Sequence, residues 1–127
     1  MNIPTDYQET LAQQVRWAAR NIAYNLDFLP TNKLDWKPAP DALSAIEILN
    51  HLLGAMQHIQ SVLRGGEWNG WDNSEFSPAT NLEDAKTRLM QTADEFAATL
   101  EGILPEQMER MVEMPFGAIP LAQIMRF

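Results

Sequence analysis

Apolar residues recur at helical spacing over three long stretches of this chain. Between Thr5 and Leu29, the positions Leu11, Val15, Ala18, Ala19, Ile22 and Leu26 form one stripe, with Gln13, Arg16, Arg20 and Asp27 on other faces. Trp17, Tyr24 and Phe28 add bulk beside it. Pro30 ends this first predicted helix, because the residue before a proline avoids the helical region. A second helix is predicted from Ser44. Ser44 and Glu47 make a capping-box pattern, in which the hydroxyl takes an orphan amide and the carboxylate reaches back. Ile46, Ile48, Leu49, Leu52, Leu53, Met56, Ile59, Val62 and Leu63 then cover a wide arc, so the helix is expected to pack on more than one side. Gly65-Gly66 stops it. A third helix starts at Thr80 or Asn81, with Thr80 and Glu83 as a second capping box. Its buried face carries Leu82, Ala85, Leu89, Ala93, Phe96, Leu100 and Ile103, while Glu83, Asp84, Asp94, Glu95 and Glu101 point to water. Gly102 and Pro105 close it.

The connections read differently. Thr31 to Leu43 holds Pro38 and Pro40, which favour an extended path, and Trp36 is expected to pin this segment to the bundle by burying its ring. Gly65 to Asn81 is a long loop whose aromatics, Trp68, Trp71 and Phe76, argue that it packs down. Leu104 to Ile119 reads as irregular. It has a short helical turn from Pro105, a soft apolar edge at Met108, Met111 and Met114, and turn chemistry in Met114-Pro115-Phe116-Gly117. Pro120 suits a first helical position, and Leu121, Ile124 and Met125 begin a fourth stripe that is still under way at Phe127. The pattern predicts an all-α bundle: one domain over residues 1–127, with three long helices and a fourth cut short. The long connections mean that not every pair of neighbours need be antiparallel.

Composition narrows the function classes. A chain of 127 residues is long enough to bury a core without staples. It has no cysteine, which excludes disulfides, a thiolate nucleophile and Cys-type zinc sites. The formal net charge of -8 lacks the basic footprint that phosphate contacts require, so no nucleic acid and no anionic membrane surface is expected as a partner. No apolar run approaches the roughly 20 residues of a membrane span. The amino terminus has neither the basic start nor the apolar block of a signal peptide, and the expected location is cytoplasmic.

The candidate chemistry centres on the second helix, which carries both histidines, His51 and His58, at the border between its apolar and polar arcs. Seven helical residues bring His58 back to nearly the azimuth of His51, about 10 Å further along the axis. Two ligands of one ion must each lie about 2 Å from it, so these two do not share a metal. Glu47 and His51, four apart, form a minimal pair that needs a further ligand from another helix. A lone histidine on the edge of an apolar face is more often a core or boundary residue than a ligand, and this holds for His58 more than for His51. Ser44 and Ser61 belong to no nucleophile motif, and no Gly-rich phosphate loop precedes a helix.

Leu34-Asp35-Trp36-Lys37-Pro38-Ala39-Pro40, followed by Ala42-Leu43-Ser44-Ala45 and Glu47-Ile48-Leu49-Asn50-His51-Leu52, resembles the DinB/YfiT-like family. The first helix, the long loop and the late Pro-Phe-Gly turn also fit, so the resemblance covers most of the chain. It implies a DinB-like four-helix bundle. It also implies a metal-dependent enzyme of unknown substrate, holding a divalent metal (Zn, Ni or Fe) through three histidines. One of these, on helix two, matches His51; the others form a His-x-x-x-His pair on helix four. Some relatives are thiol-dependent transferases or isomerases that use bacillithiol or mycothiol, so the implied partners are a small-molecule substrate, a low-molecular-weight thiol and, by a two-fold bundle contact, a second copy in a homodimer. The implied cavity lies between helix two and the start of helix four, with the His51 ring turned inward. This sequence holds no helix-four histidine pair, which leaves either a shortened form of a longer protein or a chain that has lost the site. The competing reading is a metal-free helical module for oligomerisation or partner binding.

Overall fold

The apolar stripes become packed helices in a computed structural model that describes residues 7–68 and 77–125. Among the described residues, α1 spans Tyr7–Leu26, α2 Ala45–Leu63, α3 Leu82–Glu101 and α4 Leu121–Ile124. An antiparallel hairpin, β1 (Met111–Met114) and β2 (Gly117–Pro120), precedes α4. Two 3-10 turns cover Thr31–Lys33 and Pro105–Glu109.

Helix α3 is the central rod. It runs antiparallel to α1: Gln8 donates to the Ile103 carbonyl at one end, and Lys86 pairs with Asp27 at the other. Between them Arg16 reaches Asp94 at 3.6 Å and Glu101 at 2.6 Å. Such exposed pairs contribute about 0–1 kcal/mol each, so they orient the two helices more than they stabilise them. Helix α2 runs parallel to α3, since Asn50 meets Ala79 just before α3 and Arg64 meets Thr99 near its end. The long crossover between α2 and α3 permits this, as the loop length predicts.

Burial supplies the stability. Leu53, Leu89 and Leu100 are fully enclosed, and each such leucine contributes about 1.5–3 kcal/mol relative to exposure. Small residues set the α1–α3 approach: Ala12 and Ala19 on α1 and Ala93 and Ala97 on α3 are all buried. At the other end Val112, Met114 and Leu121 of the hairpin and α4 close over Ile59, Val62, Leu63 and Leu100.

Local starts and stops follow their residues. Ser44 caps α2, accepting from the Glu47 amide at 3.3 Å and donating to its carboxylate at 3.2 Å. The α3 cap is Asn81, whose side chain accepts from the Asp84 amide at 2.8 Å, and not a Thr80–Glu83 box. At Gly65 the backbone takes φ 111, a conformation that L side chains rarely adopt, and a Cβ on Gly66 would stand 2.9 Å from the Ser61 carbonyl oxygen. These two glycines fold the chain back on the end of α2.

Three further expectations are corrected. The stretch read as irregular contains the hairpin: Val112 and Met114 point inward while Met111 and Glu113 are exposed, an alternation of period two that the step-of-three methionine reading obscured. Trp36 is not buried but 55% exposed, with the Lys33 ammonium 6.0 Å from its ring. Pro120 closes β2 and caps α4 from outside, so α4 starts one residue later than the proline suggests. Of the long loop, Trp68 is half-buried against the core, as expected; Trp71 and Phe76 lie outside the described residues.

Candidate functional site

Helices α1 and α2 flank α3 and leave an apolar groove between them. Leu11, Val15, Ala18 and Ile22 of α1 form one wall, and Leu52, Ala55, Met56 and Ile59 of α2 form the other. Leu89, Phe96 and Leu100 of α3 make the floor. Its volume is about 730 Å³, and Gln14 is the one polar residue lining it. That volume lies within the range of roughly 300–1,000 Å³ typical of ligand pockets. Met125, just past α4, closes the end near Ile59 and Leu100, with which it shares a core cluster. The groove forms because α1 and α2 each pack against α3 and present further small and aliphatic residues to the space between them, in keeping with the wide arc on α2. The groove thus differs from the cavity expected between helix two and the start of helix four: its walls are α1 and α2, and no residue of α4 lines it.

The two histidines separate. His51 is exposed. The resemblance implies a ring turned inward; here His51 lies at the surface of α2, outside the residues that line the groove. His58 is buried at 7% exposure and meets the Trp68 ring edge-on, with centroids 4.7 Å apart. Desolvation pushes its pKa below the ordinary value. The glycine turn that returns the chain to α2 brings Trp68 over His58, a contact that no motif announced.

Glu47, the carboxylate one turn before His51, is held elsewhere. Lys37 approaches its Oε1 at 3.0 Å, and that contact, with the Ser44 hydroxyl and amide, keeps the Glu47 carboxyl below its ordinary pKa. The lysine of the Trp-Lys-Pro segment thus ties the loop to the start of α2, a role expected of Trp36. Asn50 was also missed. Its side-chain amide donates to the Ala79 carbonyl at 2.9 Å, and its side-chain oxygen accepts from the Ala79 amide at 2.7 Å, clamping the segment before α3 to α2.

Three long helices, a late hairpin and an exposed histidine on α2 after a Trp-Lys-Pro segment make a specific combination. The family model of the DinB superfamily matches residues 6–127. The chain belongs to the DinB superfamily. No curated protein matches the sequence.

DinB membership brings the question of a metal, and the donor set answers for the residues in hand. Among the described residues, no group of three His, Cys, Asp or Glu side chains is placed to hold one ion. Glu47 is engaged by Lys37, and His58 is buried two turns away from His51. A metal centre of the kind that the resemblance implies would need ligands beyond these. Among the described residues, no helix is long and apolar enough to cross a membrane.

Proposed function

We propose that this DinB superfamily protein works as an association module, with the α1–α2 groove receiving the apolar face of a partner. The observation that supports it is the groove: three helices converge on one aliphatic trough, and Gln14 is its one polar lining residue. A concave trough lined by aliphatic side chains is suited to receiving an apolar surface. Chemistry on a substrate would call for convergent polar groups, and Gln14 alone is a sparse set. The test is titration with the apolar fluorophore anilinonaphthalene sulfonate. The native protein should enhance its emission, and Ala18→Glu, which sets a carboxylate on an exposed wall position, should abolish the enhancement while leaving helical circular dichroism intact. Equal enhancement by both proteins would contradict the reading.

A second reading keeps the metal. It is favoured by the exposure of His51 on α2, where an imidazole is open to ligands supplied from outside this bundle. Zinc, nickel or iron bound in that way would polarise a thiol or water and lower its pKa. The protein's own part would be to present one imidazole on α2. Calorimetric titration with nickel and zinc, with His51→Ala as control, checks it. Binding that is equally weak in both forms would remove His51 from the metal hypothesis.

A further inference from the structure

Acidic side chains are not spread evenly along the bundle. At the hairpin end, Glu9 of α1, Glu67 after α2, Glu106 and Glu109 after α3, and Glu113 of β1 are exposed and enter no ion pair among the described residues. Two cations of the same end are engaged otherwise: Arg64 donates to the Thr99 hydroxyl at 3.3 Å, and Arg110 donates to the Val62 carbonyl at 2.5 Å. At the opposite end all three lysines of the chain, Lys33, Lys37 and Lys86, offset Asp27, Asp35, Asp41 and Glu47.

The groove runs toward the acidic end, where Met125 closes it beside Ile59 and Leu100. Its α1 wall, from Leu11 to Ile22, is roughly 16 Å long, the length of about three helical turns. No charged residue lines it. Arg20, exposed on α1, lies two residues past Ala18 and therefore on the opposite face of that helix. Met56 and Met125 give the trough soft surfaces that adapt to side chains of different shape.

We propose, resting on the association reading above, that the partner in the groove is a basic amphipathic helix of another protein. Its aliphatic anchors, spaced i, i+3, i+4 and i+7, enter the trough, and its lysines or arginines meet the carboxylates at the hairpin end. Charge selects this over an acidic helix. A chain at -8 draws a cationic segment and repels an anionic one, and Glu109 and Glu113 hold their charge exposed at the end toward which the groove runs. Shape selects a helix over an extended strand, because the walls are helices and offer side chains but no open backbone edge.

Fluorescence anisotropy tests the proposal with two labelled synthetic peptides of about four turns, roughly 14 residues each. One has leucine and lysine in amphipathic order, and the other has glutamate in place of every lysine. The lysine peptide should bind the native protein, and the glutamate peptide at least roughly tenfold more weakly. Ala18→Gln sets an uncharged amide on the groove wall and should weaken the lysine peptide roughly fivefold or more, because docking buries that amide without a partner. Glu109→Gln with Glu113→Gln should weaken it roughly threefold, the scale of two exposed charge pairs, whereas Asp35→Asn with Asp41→Asn at the far end should leave it unchanged. Equal or tighter binding of the glutamate peptide, indifference to Ala18→Gln, or equal losses from the two carboxylate pairs overturns the proposal. The fluorophore titration separates that failure from failure of the groove itself. A native protein that binds the dye, loses it in Ala18→Glu and binds neither peptide overturns the helical partner alone and leaves the groove to small apolar molecules, whereas no dye binding by the native chain ends both readings.

Discussion

The His58 ring is buried against Trp68, and desolvation holds its pKa below the ordinary 6.5. The unfolded chain therefore takes up a proton near that pH while the folded chain does not, and stability falls as pH drops through the interval below about 6.5. Urea unfolding should show this decline, and His58→Gln should flatten it; an unchanged slope would mean that other groups carry the effect. His51→Ala, at an exposed position, should alter stability by no more than about 0.5 kcal/mol. Asn50 matters more. Asn50→Ala leaves the amide and carbonyl of buried Ala79 without their side-chain partners, at a cost of about 2 kcal/mol measurable by the same unfolding curves. Both roles were hard to read in advance. A helical wheel places His51 and His58 at one azimuth, and only the return of the chain at Gly65-Gly66 decides which is covered. Asn50 reads as one more polar position on α2 until its partner, 29 residues away, is known.

At the level of elements, stripes of period 3.6 were legible and short pieces were not. Three helices and the buried face of α3 could be read because each repeats its signal over several turns. The hairpin could not, since β1 has four residues and its two inward positions compete with a methionine repeat of period three. Caps were read in kind but not always in place: Ser44 holds α2, while Asn81 and not Thr80 holds α3. The Trp-Lys-Pro segment supplies its anchor through Lys37 and leaves Trp36 exposed. Lys37→Ala should therefore let the Glu47 carboxyl rise toward its ordinary pKa, visible by NMR titration. A Glu47 titration that does not move would show that the Ser44 hydroxyl and amide suffice. Ser44→Ala should lower stability by about 1 kcal/mol through loss of the cap.

For the whole molecule, the distribution of charge and apolar surface is the organising fact. Ion pairs line the α1–α3 seam, and between α1 and α2 the bundle opens as a trough with no charged lining residue. The sequence indicated an all-α bundle with an unusually wide apolar arc on helix two, but not where that arc would open, because this depends on how α1 and α2 flank α3. The most direct test is methyl-detected NMR on the native protein titrated with anilinonaphthalene sulfonate. Resonances of Val15, Ile22, Leu52 and Ile59, which line the groove, should shift together as the dye is added, while Leu63 and Val112 in the far core stay fixed. Shifts confined to the hairpin end, or methyl groups in the groove that never respond to the dye, would contradict the claim that the groove receives an apolar partner.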